Sequence, residues 1–190
     1  MTETGPGELW IVRHGETAWS SAGKHTSHSE LPLTEDGVAS AGGLAAKLAR
    51  TPFDLVLTSP RERARRTAEL AGFADVEEDE DLTEWDYGDY EGLTTATIRE
   101  DVPGWTVWAH PTPGGETAEQ VSERLDRVVA KVRSHGGRVL VFSHGHASRA
   151  LAARWLDQPV TEGRLFSLDT ATISVLSYER ESPTVARWNS

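Results

Sequence analysis

Two histidines of this chain each follow a short apolar run and precede a glycine. His14 comes after residues 9–12, and His144 comes after residues 139–143. Runs of this length and composition predict buried strands, and in an open parallel sheet binding sites form where the strands end. We therefore expect His14 and His144 to face one another across one site.

The residue before His14 indicates the chemistry of this site. A neutral imidazole is a nucleophile, and the neighbouring Arg13 would disfavour protonation of His14 while attracting an anion. Phosphate is the natural candidate for that anion. The tripeptide alone is a weak signal, because a histidine at a strand end is more often a surface or hydrogen-bonded residue than a catalyst.

An arginine-rich run follows the next predicted strand, residues 54–58. Pro60 suits the first turn of a helix, and a helix that begins at a strand end offers free N–H groups and a positive dipole to an anion. Arg63 would lie in that first turn, where its guanidinium fork matches phosphate oxygens. The other arginines of the run are expected on a solvated face: Arg61, Arg65 and Arg66.

Residues 82–92 combine carboxylates with aromatic side chains in an irregular segment. A carboxyl group beside Trp85 and Tyr87 can be desolvated, keep its proton and pass it to a leaving oxygen. Glu84 is the candidate acid. The residues alone do not rank it above the other acids of the segment, which are Asp86, Asp89 and Glu91.

In their order along the chain these motifs resemble the histidine phosphatases of the phosphoglycerate mutase-like superfamily, in the branch with the Arg-His-Gly signature. The resemblance covers nearly the whole chain, in residues 13–17, 31–34, 59–68, 84–92, 114–117 and 143–145. Such agreement at many ordered positions is much more specific than a single motif. Within the family, residues 84–88 and 143–146 are most similar to the acid phosphatases of actinobacteria.

The resemblance implies a role for each candidate residue. His14 would be the nucleophile that becomes phosphorylated, while Arg13, Arg63 and His144 would hold the phosphoryl oxygens. Glu84 would protonate the leaving group and later serve as the base for water. The implied enzyme is a metal-independent phosphomonoesterase that needs no cofactor and hydrolyses small phosphorylated metabolites.

Four further residues are expected to bind substrate at the rim: Ser20, Thr26, Gly145 and His146. Ser20 stands where the family often has asparagine, and His146 stands where it often has a second glycine. His146 has two equally weighted interpretations, a substrate contact or a hydrogen-bonded residue at a strand-to-helix junction. Its spacing from His144 makes metal binding a third, minor one.

Two other functions stay open. A cofactor-dependent phosphoglycerate mutase would carry an insertion with basic residues, whereas here residues 92–93 are followed by Thr94 and Thr95. A non-catalytic phosphate-binding module would be expected to lack a histidine, arginine or acid of the site. All of these residues are present, so hydrolysis is the preferred interpretation.

Composition limits the fold and the partners. The chain has 190 residues, no cysteine and a net charge of −11. We expect a single domain over residues 1–190, no cysteine-ligated metal, and no nucleic-acid partner, since such binding needs a positive surface. Residues 1–8 have no signal character and no run suits a membrane, so a cytoplasmic location is expected. The oligomeric state is not determined, and a homodimer is left open.

The remaining patterns predict an α/β fold, a three-layer αβα sandwich with a largely parallel sheet and an antiparallel edge strand. One helix face is expected at Val38, Ala41, Ala45 and Leu48, and another at Val121, Leu125, Val128 and Val132. Glu116 is expected to open the second helix and favour its N-terminus. Strands are predicted at residues 165–168, 172–178 and 184–188.

Overall fold

The structure, a computed structural model, describes residues 7–190. Residues 1–8 were predicted to lack a targeting signal, and residues 1–6 of that segment lie outside the described residues. The strands of the described part are β1 (Glu8–Arg13), β2 (Leu55–Thr58), β3 (Glu77–Glu78), β4 (Arg138–Ser143), β5 (Ile173–Glu179) and β6 (Ser182–Arg187). The α-helices are α1 (Ala18–Ser21), α2 (Glu35–Leu48), α3 (Glu62–Leu70), α4 (Thr95–Asp101), α5 (Ala118–His135) and α6 (Gly145–Trp155). Between residues 7 and 190, no helix is both long and apolar enough to cross a lipid bilayer.

The strands form a mixed sheet in the order β3-β2-β4-β1-β5-β6. β4 lies between β1 and β2 and is parallel to both, and β3 is parallel to β2. β5 is antiparallel to β1, and β6 is antiparallel to β5. The prediction of a largely parallel sheet with an antiparallel edge is confirmed.

Helices cover both faces of this sheet. Side chains alternate along a strand, so Leu9 and Ile11 of β1 lie on one face while Trp10 and Val12 lie on the other. The first pair packs in one buried cluster with apolar residues of α5 and α6, and the second pair packs in another with residues of α2 and α3. The predicted three-layer αβα sandwich is therefore confirmed.

The helix faces agree with the sequence pattern in α5 and only in part in α2. All four residues predicted for the α5 face are buried: Val121, Leu125, Val128 and Val132. In α2 the buried residues are Gly37, Ala41, Leu44 and Leu48. The prediction is wrong for Val38, which is 38% exposed, and for Ala45, which is only half-buried. The backbone of Gly37 packs against Glu16, and this contact turns Val38 outward.

The starts of two helices also differ from prediction. α3 begins at Glu62 with Arg61 as its N-cap residue, so Pro60 precedes the helix and does not lie in its first turn. Arg63 does lie in that turn, as expected.

At α5 the N-cap residue is Thr117, whose side chain and that of Gln120 form a capping box. Glu116 instead binds Arg124, with Arg124 Nε 2.7 Å from Glu116 Oε1. The expectation that Glu116 opens the helix is thus wrong. The side chain of Thr117 accepts from the amide of Gln120 in the first turn of the helix. The Glu116 carboxylate forms an ion pair with Arg124.

The strand predicted at residues 165–168 is absent. Val160–Leu165 forms a 3-10 helix, and residues 166–169 have no regular structure. The physical reason is that β5 occupies the edge of β1, so no partner strand is available for this segment. The two other C-terminal strands are present as β5 and β6.

Candidate active site

The register of β1 against β4 brings His14 and His144 together. Arg13 pairs with Ser143 in these adjacent parallel strands, so the residue that follows each lies at the same level. The amide of His14 donates to the carbonyl of Ser143 over 2.9 Å, and the two imidazole centroids are 5.2 Å apart. The expectation that the histidines face one another therefore agrees with the geometry.

The tautomer of His14 is fixed by its own backbone. His14 Nδ1 lies 2.7 Å from the carbonyl oxygen of Gly15, which can only accept, so Nδ1 carries the proton. Nε2 is left with a free lone pair. Burial lowers the pKa of His14 well below its usual value, and the charges of Arg63 and Arg13 lower it further. His14 is therefore a neutral imidazole whose Nε2 is available for attack on an electrophile.

Two glycines allow the loop that carries His14 to pack closely against α2. A side chain at Gly15 would place its Cβ 2.6 Å from the carbonyl oxygen of Gly37, and a side chain at Gly37 would place its Cβ 2.2 Å from that of Glu16. The amide of Gly15 donates to Thr67 Oγ1 over 2.9 Å. Two helices thus fix the loop, and neither glycine can be replaced without moving it.

Arg63 and His144 lie beneath the site, and each is fully buried. Arg63 Nε donates to His144 Nδ1 over 3.2 Å, so His144 Nε2 carries the proton and donates to Ser59 Oγ over 2.8 Å. Burial and the nearby charge of Arg63 lower the pKa of His144 well below its usual value. The terminal nitrogens of Arg63 donate to the carbonyls of residues 26, 27 and 29. Arg63 thereby fixes both His144 and the segment over it.

Arg13 presents an unused donor. One terminal nitrogen of its guanidinium donates to the carbonyl of Leu168, while Nε is buried without a partner among residues 7–190. Gly145 lies against it, since a Cβ on Gly145 would be 3.4 Å from Arg13 Nε. A buried donor without an acceptor costs free energy unless a ligand satisfies it. This atom is therefore suited to an anion in the site.

The carboxyl group of Glu84 is bound at the start of α6. Oε1 accepts from the amides of Trp85 at 2.9 Å and Ala147 at 2.7 Å, and Oε2 accepts from the amide of His146 at 3.0 Å. Oε2 has a single amide partner and keeps a lone pair for a proton. Of the four acids that sequence reasoning left open, Glu84 is the one that lines the cavity with His14.

The other acids of that segment have different partners. Burial acts to raise the pKa of Glu91, but hydrogen bonds from the Ser27 hydroxyl and from the amides of Ser27 and Ser29 lower it below its usual value. Asp86 Oδ2 lies 3.0 Å from His28 Nε2. Glu91 therefore fixes the wall of the site, and Asp86 lies outside the cavity.

The cavity has a volume of about 250 Å³. All four rim residues predicted from the sequence line it: Ser20, Thr26, Gly145 and His146. Ser20 Oγ is already engaged within α1, because it accepts from the amide of Thr17 and donates to the Thr17 carbonyl. The cavity is also lined by residues that sequence reasoning did not assign to the site: Lys24, Tyr87, Thr95, Arg149 and Leu168. Arg149 had one detectable signal, since it lies three residues after His146 and shares its helix face.

His146 belongs to an aromatic cluster at the rim. Its Nδ1 is 2.5 Å from the Tyr87 hydroxyl, and its ring contacts Trp108 edge-on at 5.1 Å. Burial lowers the pKa of His146 well below its usual value and that of the neighbouring His25 to about 4. Both imidazoles are thus neutral hydrogen-bonding groups at pH 7. No group of three or more His, Asp or Glu in residues 7–190 is arranged to hold a metal ion.

Comparison with known proteins gives consistent matches over the same region. The family model of the histidine phosphatase superfamily (branch 1) matches residues 9–190. An acid phosphatase of Mycobacterium tuberculosis is 45% identical over an alignment of 175 residues, covering 90% of this chain and 86% of that protein. A sedoheptulose 1,7-bisphosphatase of Saccharomyces cerevisiae is 37% identical, covering 76% of this chain and 66% of that protein.

A solved structure shows the same similarity at the level of the fold. The product of an open reading frame of Mycobacterium tuberculosis superimposes with a TM-score of 0.91 at 42% identity, covering 96% of this chain and 97% of that chain. The similarity therefore extends over nearly all of the sequence and the fold.

Proposed function

Because the chain belongs to branch 1 of the histidine phosphatase superfamily and is a phosphatase, we propose that it is a metal-independent phosphomonoesterase for small phosphorylated metabolites. The observation that carries this proposal is the state of His14. Its Nδ1 proton is bound to a carbonyl, its Nε2 is free, and burial beside two arginines keeps the ring neutral. The protein thus supplies its own nucleophile and its own cations, the tasks a catalytic metal performs in other phosphatases.

In the first step, His14 Nε2 attacks phosphorus and the bond to the ester oxygen breaks. Glu84 Oε2 gives its proton to that oxygen, so an alcohol leaves and a phosphohistidine forms. The free Nε of Arg13 and the amide of Gly145 bind the phosphoryl oxygens. That amide is available because the first N–H groups of a helix have no intrahelical partner and Glu84 accepts only from the next two. The buried charge of Arg63 stabilises the developing negative charge.

In the second step, water replaces the alcohol. The Glu84 carboxylate takes one proton of the water as its oxygen attacks phosphorus, and the bond to His14 Nε2 breaks. Inorganic phosphate leaves, Glu84 is protonated again and His14 returns to its neutral form. Each group is thus restored after one turnover.

The predictions made from composition are part of this proposal. They are a single domain over residues 1–190, a cytoplasmic location and the absence of a nucleic-acid partner. A homodimer is compatible with this proposal.

Replacement of His14 by alanine tests the proposal directly. We expect H14A to release no phosphate from nitrophenyl or alkyl phosphates and to form no acid-labile phosphoenzyme, while the exposed-histidine control H135A keeps both. A phosphoenzyme in H14A would show that another residue is the nucleophile.

Two further measurements separate the alternatives. With 3-phosphoglycerate the proposal predicts free phosphate, whereas accumulation of 2-phosphoglycerate would identify a mutase. After treatment with chelators the activity is expected to persist. An enzyme that stops and resumes only when Mg²⁺ or Zn²⁺ is added would contradict metal independence.

A further inference from the structure

A second cavity adjoins the one that contains His14. Its volume is about 350 Å³, within the range of roughly 300–1,000 Å³ that is usual for small-molecule sites. The two cavities have none of their described lining residues in common. The apolar residues of the second cavity are Trp85, Val107, Trp108, Ala109, Pro111 and Ala118. The phosphatase mechanism proposed above uses none of these side chains.

Trp108 lies between the two cavities. It lines the second cavity and contacts, edge-on at 5.1 Å, the ring of His146, which lines the first. Its indole packs on backbone, because a Cβ on Gly163 would lie 2.6 Å from Cζ3 of Trp108. Arg149 stacks on the same indole, with its guanidinium carbon 4.7 Å from the ring centroid and its Nε bound to the Gly163 carbonyl over 3.1 Å. The wall between the cavities is therefore tightly packed and preformed.

Trp85 forms the adjacent wall of the second cavity. This residue is 2% exposed, and its ring is perpendicular to that of Trp108, with the centroids 5.8 Å apart. Its Nε1 donates to the carbonyl of Glu116 over 3.1 Å, and its amide donates to Glu84 Oε1. The hydroxyl of Thr112 donates to the same Glu116 carbonyl over 2.8 Å. Hydrogen bonds thus hold this indole in place, and the two rings give the cavity a fixed aromatic corner.

The charge of this lining is negative. The described residues that form it include two acids, Glu116 and Glu119, and no lysine or arginine. Glu116 is neutralised, since both of its carboxylate oxygens accept from Arg124. Glu119 is exposed and, unlike Glu116 and Asp126, has no Lys or Arg nitrogen within 4.0 Å among residues 7–190. Hydrogen bonds from its own amide and from the Thr117 hydroxyl lower the pKa of Glu119, so the carboxylate is ionised at neutral pH.

The second cavity therefore favours a cation, whereas the first is lined by Arg13, Lys24 and Arg149 and favours an anion. Indole faces attract organic ammonium ions, and a nearby carboxylate adds an attraction that solvent weakens at an exposed position. In the described part of the chain, no group of three or more His, Asp or Glu is placed to hold a metal ion. The apolar walls suit an organic body instead.

We propose that the second cavity binds a small organic cation that consists of an ammonium group and a flat apolar ring. The ring packs against the indoles of Trp85 and Trp108, and the ammonium group lies toward the exposed Glu119. The occupant thus touches two indoles that contact Glu84 and His146 of the first cavity, while the phosphate site stays free. This inference does not depend on the proposed function, because none of its contacts involves His14.

Three probes of similar size and different charge test the inference: the 2-phenylethylammonium ion, 2-phenylethanol and phenylacetate. Their affinities are measured at pH 7 by NMR titration of the wild-type protein. We expect the ammonium ion to bind roughly 5-fold to 30-fold more tightly than the alcohol, the effect of a cation–π contact and an exposed ion pair. Phenylacetate should bind more weakly than the alcohol. Equal affinities for the ammonium ion and the alcohol would overturn the inference.

The indole N–H resonances locate the bound probe. Trp85 and Trp108 line the second cavity, whereas Trp10 and Trp155 do not. We expect the first two resonances to shift during the titration and the last two to stay unchanged. Shifts confined to other tryptophans would place the probe elsewhere and contradict the inference.

Two variants test the charge and the space separately. E119Q removes the charge at constant size, and the ratio of the ammonium to the alcohol affinity should fall about 2-fold to 5-fold. The matched control is E123Q, an exposed glutamate one turn further along α5 that does not line the cavity, and its ratio should equal that of the wild type. A118L fills the cavity and should weaken the binding of both probes at least about 10-fold. Its urea midpoint verifies that it is folded.

Competition with inorganic phosphate distinguishes the two cavities in the wild type alone. Phosphate binds among the cations of the first cavity, so the affinity for the ammonium probe should not fall in proportion to the phosphate concentration. Proportional competition would place the probe in the first cavity and overturn the inference, as would a ratio that is unchanged in E119Q or tight binding that persists in folded A118L. H14A should bind the probe as the wild type does, whatever its phosphatase activity.

Discussion

The chemistry of Glu84 depends on how one carboxyl group is bound. Oε1 accepts from two amides and Oε2 from one, so in the proposed mechanism Oε2 is the oxygen that transfers the proton. The amides of His146 and Ala147 in α6 hold this carboxyl group at the wall of the cavity. Such an acid matters most when the leaving group is strongly basic.

Substitution of Glu84 by glutamine should separate substrates by their leaving groups. An alkyl phosphate expels a basic alkoxide, so its phosphorylation step is expected to slow by a factor on the order of 10² to 10⁴. A nitrophenyl phosphate expels a weakly basic phenolate and should slow much less. Burst kinetics are needed, because in the proposed mechanism Glu84 also acts as the base for water in the second step.

The control for this experiment is D86N, which alters a nearby acid outside the cavity. It should affect both substrates little and equally. If E84Q slows the phosphorylation step of both substrates by the same factor, Glu84 only shapes the site and another group supplies the proton.

Sequence reasoning identified the residues that belong to local motifs and missed those that depend on distant contacts. Arg13 and His14 are adjacent to a strand with a recognisable pattern, and Glu84 was ranked only through the family resemblance. Arg149 was not assigned to the site although it shares a helix face with His146, because its place on the cavity wall depends on tertiary contacts. Its support on Gly163 and Trp108 is likewise a tertiary contact.

At the level of secondary structure, the apolar runs predicted the positions of β1, β2, β4 and β5. They did not predict which strands are adjacent in the sheet. The pairing of β5 with β1 left residues 165–168 without a partner, although their composition suits a strand. In α2 the apolar pattern placed Val38 on the buried face, whereas contact between Gly37 and Glu16 determines the rotation of the helix. Both errors arise where a tertiary contact overrides local preference.

Two glycines of α2 should respond in opposite ways to alanine. Gly37→Ala would place a Cβ 2.2 Å from the Glu16 carbonyl oxygen, so we expect a loss of about 1–3 kcal/mol in the free energy of unfolding. Displacement of the adjoining loop should also lower kcat on the order of 100-fold, as small errors in the position of a nucleophile do. Urea unfolding and steady-state kinetics measure both effects.

Gly42→Ala is the matched control in the same helix. A Cβ there meets nothing within 4 Å, and alanine is the better helix former. A gain of roughly 0.5–1 kcal/mol in the free energy of unfolding is expected, with normal kinetics. Equal behaviour of the two variants would show that close packing at Gly37 does not hold the loop.

Across the whole molecule, buried neutral histidines couple stability to pH. The pKa values of His14, His144 and His146 are lowered well below normal by burial, and that of His25 is lowered to about 4. The unfolded chain takes up protons on these groups near pH 6.5 while the folded chain does not. Protonation therefore favours the unfolded chain below pH 6.5. The free energy of unfolding is highest above pH 6.5 and decreases as the pH falls toward the folded pKa of each histidine.

The slope of this loss can be measured for His25. Urea midpoints of wild type and His25→Phe between pH 7 and 4 should show that the wild type loses about 1.4 kcal/mol per pH unit more than the variant. The total for this residue is on the order of 3 kcal/mol, from pH 6.5 down to its folded pKa of about 4.

The variant Thr95→Val removes the hydroxyl that lies 3.3 Å from His25 Nε2 and serves as the control. It is expected to shift the unfolding free energy at all pH values without the same change of slope. Parallel curves for wild type and His25→Phe would mean that this imidazole is protonated as readily in the folded protein as in the unfolded chain.

The central position of β1 has a consequence for synthesis of the protein on the ribosome. β1 is translated before its neighbours in the sheet, β4 and β5, which come from residues 138–143 and 173–179. Pairing over such sequence separations closes a long loop and is slow. A nascent chain therefore holds His14 without its opposite histidine until β4 and His144 have been synthesised. A chain that ends before His144 would lack one side of the site, and we expect it to have no phosphatase activity.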